Sequence, residues 1–165
     1  MSSILMWIGY TCLFIFLVFV ISKFLLINTP KDNSAKNKIS FVLAGKTYEL
    51  ELADTPEKRT IGLMNKSFMP INEGMLFVFD SSGIYPFWMK DTKIALDMIW
   101  VNDNGETVFI KENAQPCSNI VSAICSSVIP GIKPAKYVIE LNGGQSKELG
   151  LKIGDKLDLS PIVKK

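Results

Sequence analysis

The residues best equipped for chemistry are Arg59 and a group around one indole: Trp88, Lys90, Asp91 and Asp97. Arg59 is the single arginine in a chain with 17 lysines. A planar guanidinium grips a carboxylate or phosphate through two parallel hydrogen bonds, which an ammonium cannot do. The partner of Arg59 is then either an external anion or an internal carboxylate, such as Asp97 or Glu57, that pins a helix on a sheet. If residues 86–90 run extended, Trp88 and Lys90 share one face, and Phe87, Met89 and Asp91 share the other. An aromatic plane beside an ammonium suits stacking on a sugar or base with an anion bound next to it. The same pair also fits a packed aromatic and a solvated charge. Arg59, Trp88, Lys90, Asp91 and Asp97 are therefore the ligand-binding candidates, and no residue is assigned a catalytic role.

Support for catalysis is thin. The chain has no histidine, so it lacks the usual general base and the usual zinc ligand. There is no Gly-x-Ser-x-Gly elbow, no phosphate-binding glycine loop and no His-Glu-x-x-His. Lys90, Asp91 or Asp97 could do acid–base work only with pKa values moved by burial. Met64, Met69, Met75, Met89 and Met98 read as adaptable core fillers before Cu(I) ligands. Neither a metal nor a cofactor is expected.

Cys117 and Cys125 lie in one polar, Ser-rich loop, with seven residues between them. That is enough chain to close a disulfide, and such a bond would stabilise a long loop chiefly outside the reducing cytosol. Two unlinked thiols are the alternative. A metal site is less suited to a pair with no histidine nearby.

The elements that must position these residues are short. Ile39–Leu43 and Tyr48–Ala53 read as strands around a turn at Gly45-Lys46. Thr55-Pro56-Glu57 starts a helix, with a side-chain cap, proline in the first turn and an acid at the positive dipole end; the helix is expected to reach Asn65. Gly74–Phe79, Pro86–Lys90, Leu96–Val101, Glu106–Lys111, Tyr137–Leu141 and Lys156–Leu159 read as further strands. Asn102-Asp103-Asn104-Gly105 is a turn, and Gly143-Gly144 leads into a short helical turn near Gly150. The loop Glu112–Pro134 is long for a compact domain and so is functional or cross-linked. This pattern predicts a mainly β fold, a compact sandwich or barrel-like domain with one or two short helices.

No charged side chain occurs from Met1 to Ser22, and apolar residues dominate through Ile27, interrupted by Lys23. An apolar run of about 20 residues can cross a bilayer as a helix. A cleaved leader would need a basic start, a shorter apolar core and a small-residue cleavage site, all missing here. Residues 1–27 are accordingly expected to be an uncleaved single-pass signal anchor, 28–38 a polar tether and 39–163 the β-rich domain. Lys23, Lys31, Lys36 and Lys38 follow the anchor, which favours a cytoplasmic domain, whereas the cysteine pair favours an extracytoplasmic one. We read the domain as extracytoplasmic. Beyond Lys38 the chain carries 14 basic and 15 acidic residues, a net charge of −1 without a basic cluster. That gives no electrostatic case for nucleic acid. The expected partners are the membrane, through the anchor, and a small anionic or glycan ligand or an envelope protein. That makes the domain a non-catalytic binding or accessory module; an enzyme using Lys90, Asp91 or Asp97 and a purely structural interaction module are the alternatives.

Several segments in this order resemble one prokaryotic family, domain of unknown function 192. They are Glu57–Met64, Gly74–Phe79, Phe87–Thr92 with Leu96-Asp97, and Tyr137–Gly144 with Gly150 and Gly154-Asp155. The resemblance runs from about Ile39 to Leu159. It implies a small mainly β domain, often exported or membrane-attached, and no reaction. Asp91 stands where asparagine is common in that motif. The cysteine pair occurs in only part of the family.

Overall fold

The computed structural model describes residues 18–20, 37–117 and 125–163. Residues 18–20 are helical, but the rest of the expected anchor, 1–27, and most of the tether lie outside the described residues. Among the described residues no helix is long and apolar enough to cross a membrane. The chain divides into two compact units, Met1–Asn33 and Ser34–Lys165, and the second carries the sheet.

That unit holds β1 (Lys38–Leu43), β2 (Lys46–Ala53), α1 (Pro56–Ile61), β3 (Glu73–Gly83), β4 (Leu96–Val101), β5 (Thr107–Ala114), β6 (Ala135–Asn142), α2 (Gln145–Glu148) and α3 (Ser160–Val163). The strands form a single six-stranded sheet in the order β1-β2-β3-β6-β4-β5. β2 and β3 run parallel, joined by the crossover that contains α1; all other neighbours are antiparallel. The expected sandwich or barrel is therefore corrected to one open sheet. The reason lies in β4, buried at every position, and in β6, buried at six of eight. Alternate side chains of these central strands feed two separate cores, one on each face. Two apolar layers flank one sheet, where a sandwich would place one layer between two sheets.

One core gathers Met75, Phe77, Leu96, Met98, Trp100 and Val138 beneath Leu63, Met69 and Met89. The other gathers Leu50, Leu76, Ile99, Val101, Ile139 and Leu141 beneath Leu151, with Leu157, Leu159 and Ile162 packed at its margin.

Several element boundaries differ from expectation. The first hairpin turns at Ala44-Gly45, both at positive φ, which pairs Leu43 with Lys46. Helix α1 starts as expected, with the Thr55 hydroxyl accepting from the Lys58 N–H and Pro56 in the first turn. It stops at Ile61 and not at Asn65, because Gly62 turns to a φ of 49°. A Cβ at that position would also lie 3.3 Å from the Phe77 ring. Pro86–Lys90 is not a strand. Only Phe87 and Lys90 form isolated bridges, to Val128 and Cys117. Lys156–Leu159 likewise contributes one bridge, between Glu106 and Lys156.

Candidate functional site

A cavity of about 330 Å³ opens between α1, the middle of β3, the segment 85–92 and β6. Its lining includes Arg59, Phe77, Phe79, Trp88, Lys90 and Glu140. Three of the five candidate binding residues thus meet in one place, and the sequence around each explains why.

Arg59 sits in the last turn of α1, the only helix in the crossover between β2 and β3. The β2 ladder ends at Phe77, which leaves the next carbonyl of β3 outside that pairing. The Arg59 guanidinium takes it, donating from Nη1 to the Val78 oxygen at 2.7 Å and lying 5.2 Å from the centroid of the Phe79 ring. The residue therefore does pin the helix to the sheet, but through a backbone carbonyl and a ring. Among the described residues it forms no ion pair with Asp97, Glu57 or any other acid. A guanidinium carries five N–H donors, so most of its capacity stays available to a ligand.

Trp88 and Lys90 lie on the segment that follows β3. They share a face as expected: the Lys90 ammonium is 5.3 Å from the Trp88 ring centroid. Trp88 remains 45% exposed. Among the described residues Lys90 has no carboxylate partner. Three backbone hydrogen bonds to the chain beyond β5 hold the segment in place. Phe87 and Val128 exchange a pair, at 3.0 and 2.6 Å, and the Asp91 N–H donates to the Cys117 oxygen at 3.0 Å. Cys117 and Cys125 form a disulfide with Cα atoms 5.8 Å apart. The cross-link thus fixes the loop against which the Trp88–Lys90 wall rests. Behind the wall, Tyr85 stacks on Phe79 with ring centroids 3.6 Å apart, Phe87 meets Phe77 edge-on, and the Trp100 indole N–H donates to the Tyr85 oxygen.

Asp91 and Asp97 do not line the cavity. Asp91 takes a φ of 55° and turns the chain after Lys90. Aspartate and asparagine tolerate this left-handed geometry better than most residues, so either serves there. Asp97 lies on the opposite face of β4 from Met98 and Trp100 and is fully buried. Its carboxylate accepts from the N–H groups of Asn113, Gly144 and Ser146 and from the Ser146 hydroxyl. It ties β5 and the start of α2 to β4, a role in holding the fold together.

Glu140 was not among the candidates. It stands on β6 in register with Met75 on one side and Met98 on the other, on the same face as Val138. It is 4% exposed and lines the cavity, yet its carboxyl makes no hydrogen bond or ion pair among the described residues. Burial pushes its pKa up to about 8. At neutral pH the group is mostly a neutral acid. Its signal in the sequence was an isolated acid inside Tyr137–Leu141. Strand alternation alone reads such a residue as facing solvent.

Four of the five clustered methionines, Met69, Met75, Met89 and Met98, are buried in the core on the cavity's side of the sheet, and Met64 lines the cavity. No group of three or more His, Cys, Asp or Glu side chains that could hold a metal ion occurs among the described residues.

The family model of DUF192, described as Uncharacterized ACR, matches residues 39–159. No curated protein matches the chain. Two solved structures are similar. A candidate transcription regulator from Sinorhizobium meliloti 1021 is 35% identical, with a TM-score of 0.61 over 73% of this chain and 91% of that one. A protein of unknown function from Novosphingobium aromaticivorans DSM 12444 is 30% identical, with a TM-score of 0.63 over 73% of this chain and 82% of that one. The motifs around Arg59, Trp88 and Glu140 all fall inside the matched span, and the chain belongs to the DUF192 family.

Proposed function

We propose that this is a membrane-tethered, extracytoplasmic binding module that takes a small anionic or glycan-like ligand in the cavity. The carrying observation is the convergence of Arg59, Trp88 and Lys90 on one cavity with aromatic walls. Two cations that form no ion pair among the described residues supply the anion site. The exposed indole supplies a stacking surface for a sugar ring. A volume of about 330 Å³ suits a molecule of metabolite size. Tethering rests on the apolar run before Lys23, and the location on the cysteine pair.

An enzyme built on Lys90, Asp91 or Asp97 is the second reading, and it loses two of its three residues, since neither aspartate lines the cavity. A net charge of −1 beyond Lys38 offers little attraction for nucleic acid.

Calorimetric titration of the full chain in mild detergent, with D-glucuronate and inorganic phosphate as probes, tests the binding reading. Saturable binding should weaken about tenfold or more in Lys90→Gln, the loss of one charge-assisted contact. Lys111→Gln, on the exposed stretch of β5, should leave it unchanged. Absent binding of both probes, or equal weakening in the two variants, would reject the cavity as an anion site.

A further inference from the structure

Glu140 is the residue of the cavity for which the fold itself has no use. It stands on the strand between β3 and β4, so its backbone is fixed from both sides. Met75 and Met98 flank it across the ladders, and neither offers a strong hydrogen-bonding atom. A buried carboxyl group without a partner is costly, and native proteins rarely keep one idle. An apolar residue of similar size would pack as well beside two methionines. The carboxyl instead opens on a cavity large enough for a small molecule, so its hydrogen-bond partner is whatever fills that cavity, solvent when it is free and a ligand oxygen when it is occupied.

Building on the reading of the cavity as an anion site, we propose that Glu140 is a ligand-binding residue acting as a neutral carboxylic acid. It donates its proton in a hydrogen bond to an oxygen of a ligand whose anionic group sits on Arg59 and Lys90. The cavity is thereby selective for acidic, hydroxyl-rich molecules of the uronic-acid type. Such a ligand meets cations at one end, an indole along its ring and a neutral donor at the other end.

The charge state follows from the surroundings. The ionised form would be desolvated with no donor to stabilise it, and a bound anion would repel it further. That desolvation is what already holds the group mostly protonated at neutral pH, and the bound anion adds to it. The other titratable or charged groups lining the cavity are Arg59 from α1 and Tyr85 and Lys90 from the segment after β3. Arg59 gives one N–H to the Val78 carbonyl and lies against the Phe79 ring, and Lys90 lies against Trp88, so both keep donors for the ligand's anionic group.

The test is the affinity of the full chain in mild detergent for D-glucuronate between pH 6 and 9.5, as about a dozen titrations. Wild-type affinity should stay level up to neutral pH, then fall with a limiting slope of about tenfold per pH unit above pH 8. Glu140→Gln keeps an N–H donor without a titrating proton, so its affinity should lose that fall while Tyr85 and Lys90 remain as before. Glu140→Leu should bind about tenfold more weakly already at pH 6.5. A wild-type profile shared by Glu140→Gln would overturn the assignment. So would affinity that rises above pH 8 with proton release, the behaviour of an ionised carboxylate accepting a hydrogen bond from a ligand hydroxyl. Absent saturable binding at pH 6.5 would remove the anion-site reading, and the role of Glu140 with it.

Discussion

A carboxyl buried between two methionines lowers stability wherever pH favours its charged form. The folded-state pKa of Glu140 is raised from 4.5 to about 8, so the folded chain holds its proton longer than the unfolded chain does. The stabilisation from this group is therefore complete below the unfolded value of 4.5 and is lost as pH rises towards 8. Across that window the loss is about 1.4 kcal/mol per pH unit, a few kcal/mol in total. The chain has no histidine, so no other side chain ordinarily titrates in the upper half of the window. Thermal unfolding of Glu140→Gln should show stability nearly independent of pH from 5.5 to 8, against a falling wild-type curve. Parallel curves would show that Glu140 is already ionised when folded. At this scale the sequence was partly legible. The scarcity of arginine pointed to Arg59, and alternation placed Trp88 with Lys90. Asp97 looked like their neighbour because it follows closely in the chain. The pleat sends it to the opposite face of the sheet, where four hydrogen bonds consume its carboxylate. Glu140 escaped notice because a lone acid in a strand is normally at the surface, and burial on both faces appears only once β6 is known to be central.

Turn chemistry set most of the elements, and backbone exceptions set where the reading failed. Thr55 and Pro56 announced α1, while Gly62 ended it one turn early by adopting a left-handed conformation and packing against Phe77. Pro86–Lys90 has the residue types of a strand. However, proline lacks an N–H and Asp91 reverses the backbone, so only two isolated bridges form. Those bridges reach Cys117 itself and Val128, three residues beyond Cys125, which makes the cross-link a support for the cavity wall. A loop of this size is stabilised by about 2–3 kcal/mol when cross-linked. Such a bond persists chiefly in an oxidising compartment. In a Cys12→Ser background, a membrane-impermeant maleimide should label intact cells only after mild reduction. Labelling that requires cell lysis would put the domain in the cytoplasm, as the lysines after the apolar run would favour.

For the molecule as a whole, the mainly β character was legible and the architecture was not. Period-two alternation tells which side chains point the same way, but not whether the partner layer is a second sheet or a set of loops and short helices. Here it is the latter on both faces, with α1 and the segment 85–92 on one side and the residues around α2 and α3 on the other. This leaves one central sheet whose middle strands are buried on both faces, and a cavity where one covering layer stands clear of β6. The central claim is that this cavity, with cations and an indole above and a neutral acid on β6, is where the domain meets its ligand. Backbone amide shifts of the full chain, recorded as D-glucuronate is added at pH 6.5, test it most directly. The account expects saturable changes concentrated at residues 59–64, 77–79, 85–92 and 140. Changes centred on the β1–β2 hairpin or on α2 and α3, or none that saturate, would contradict it.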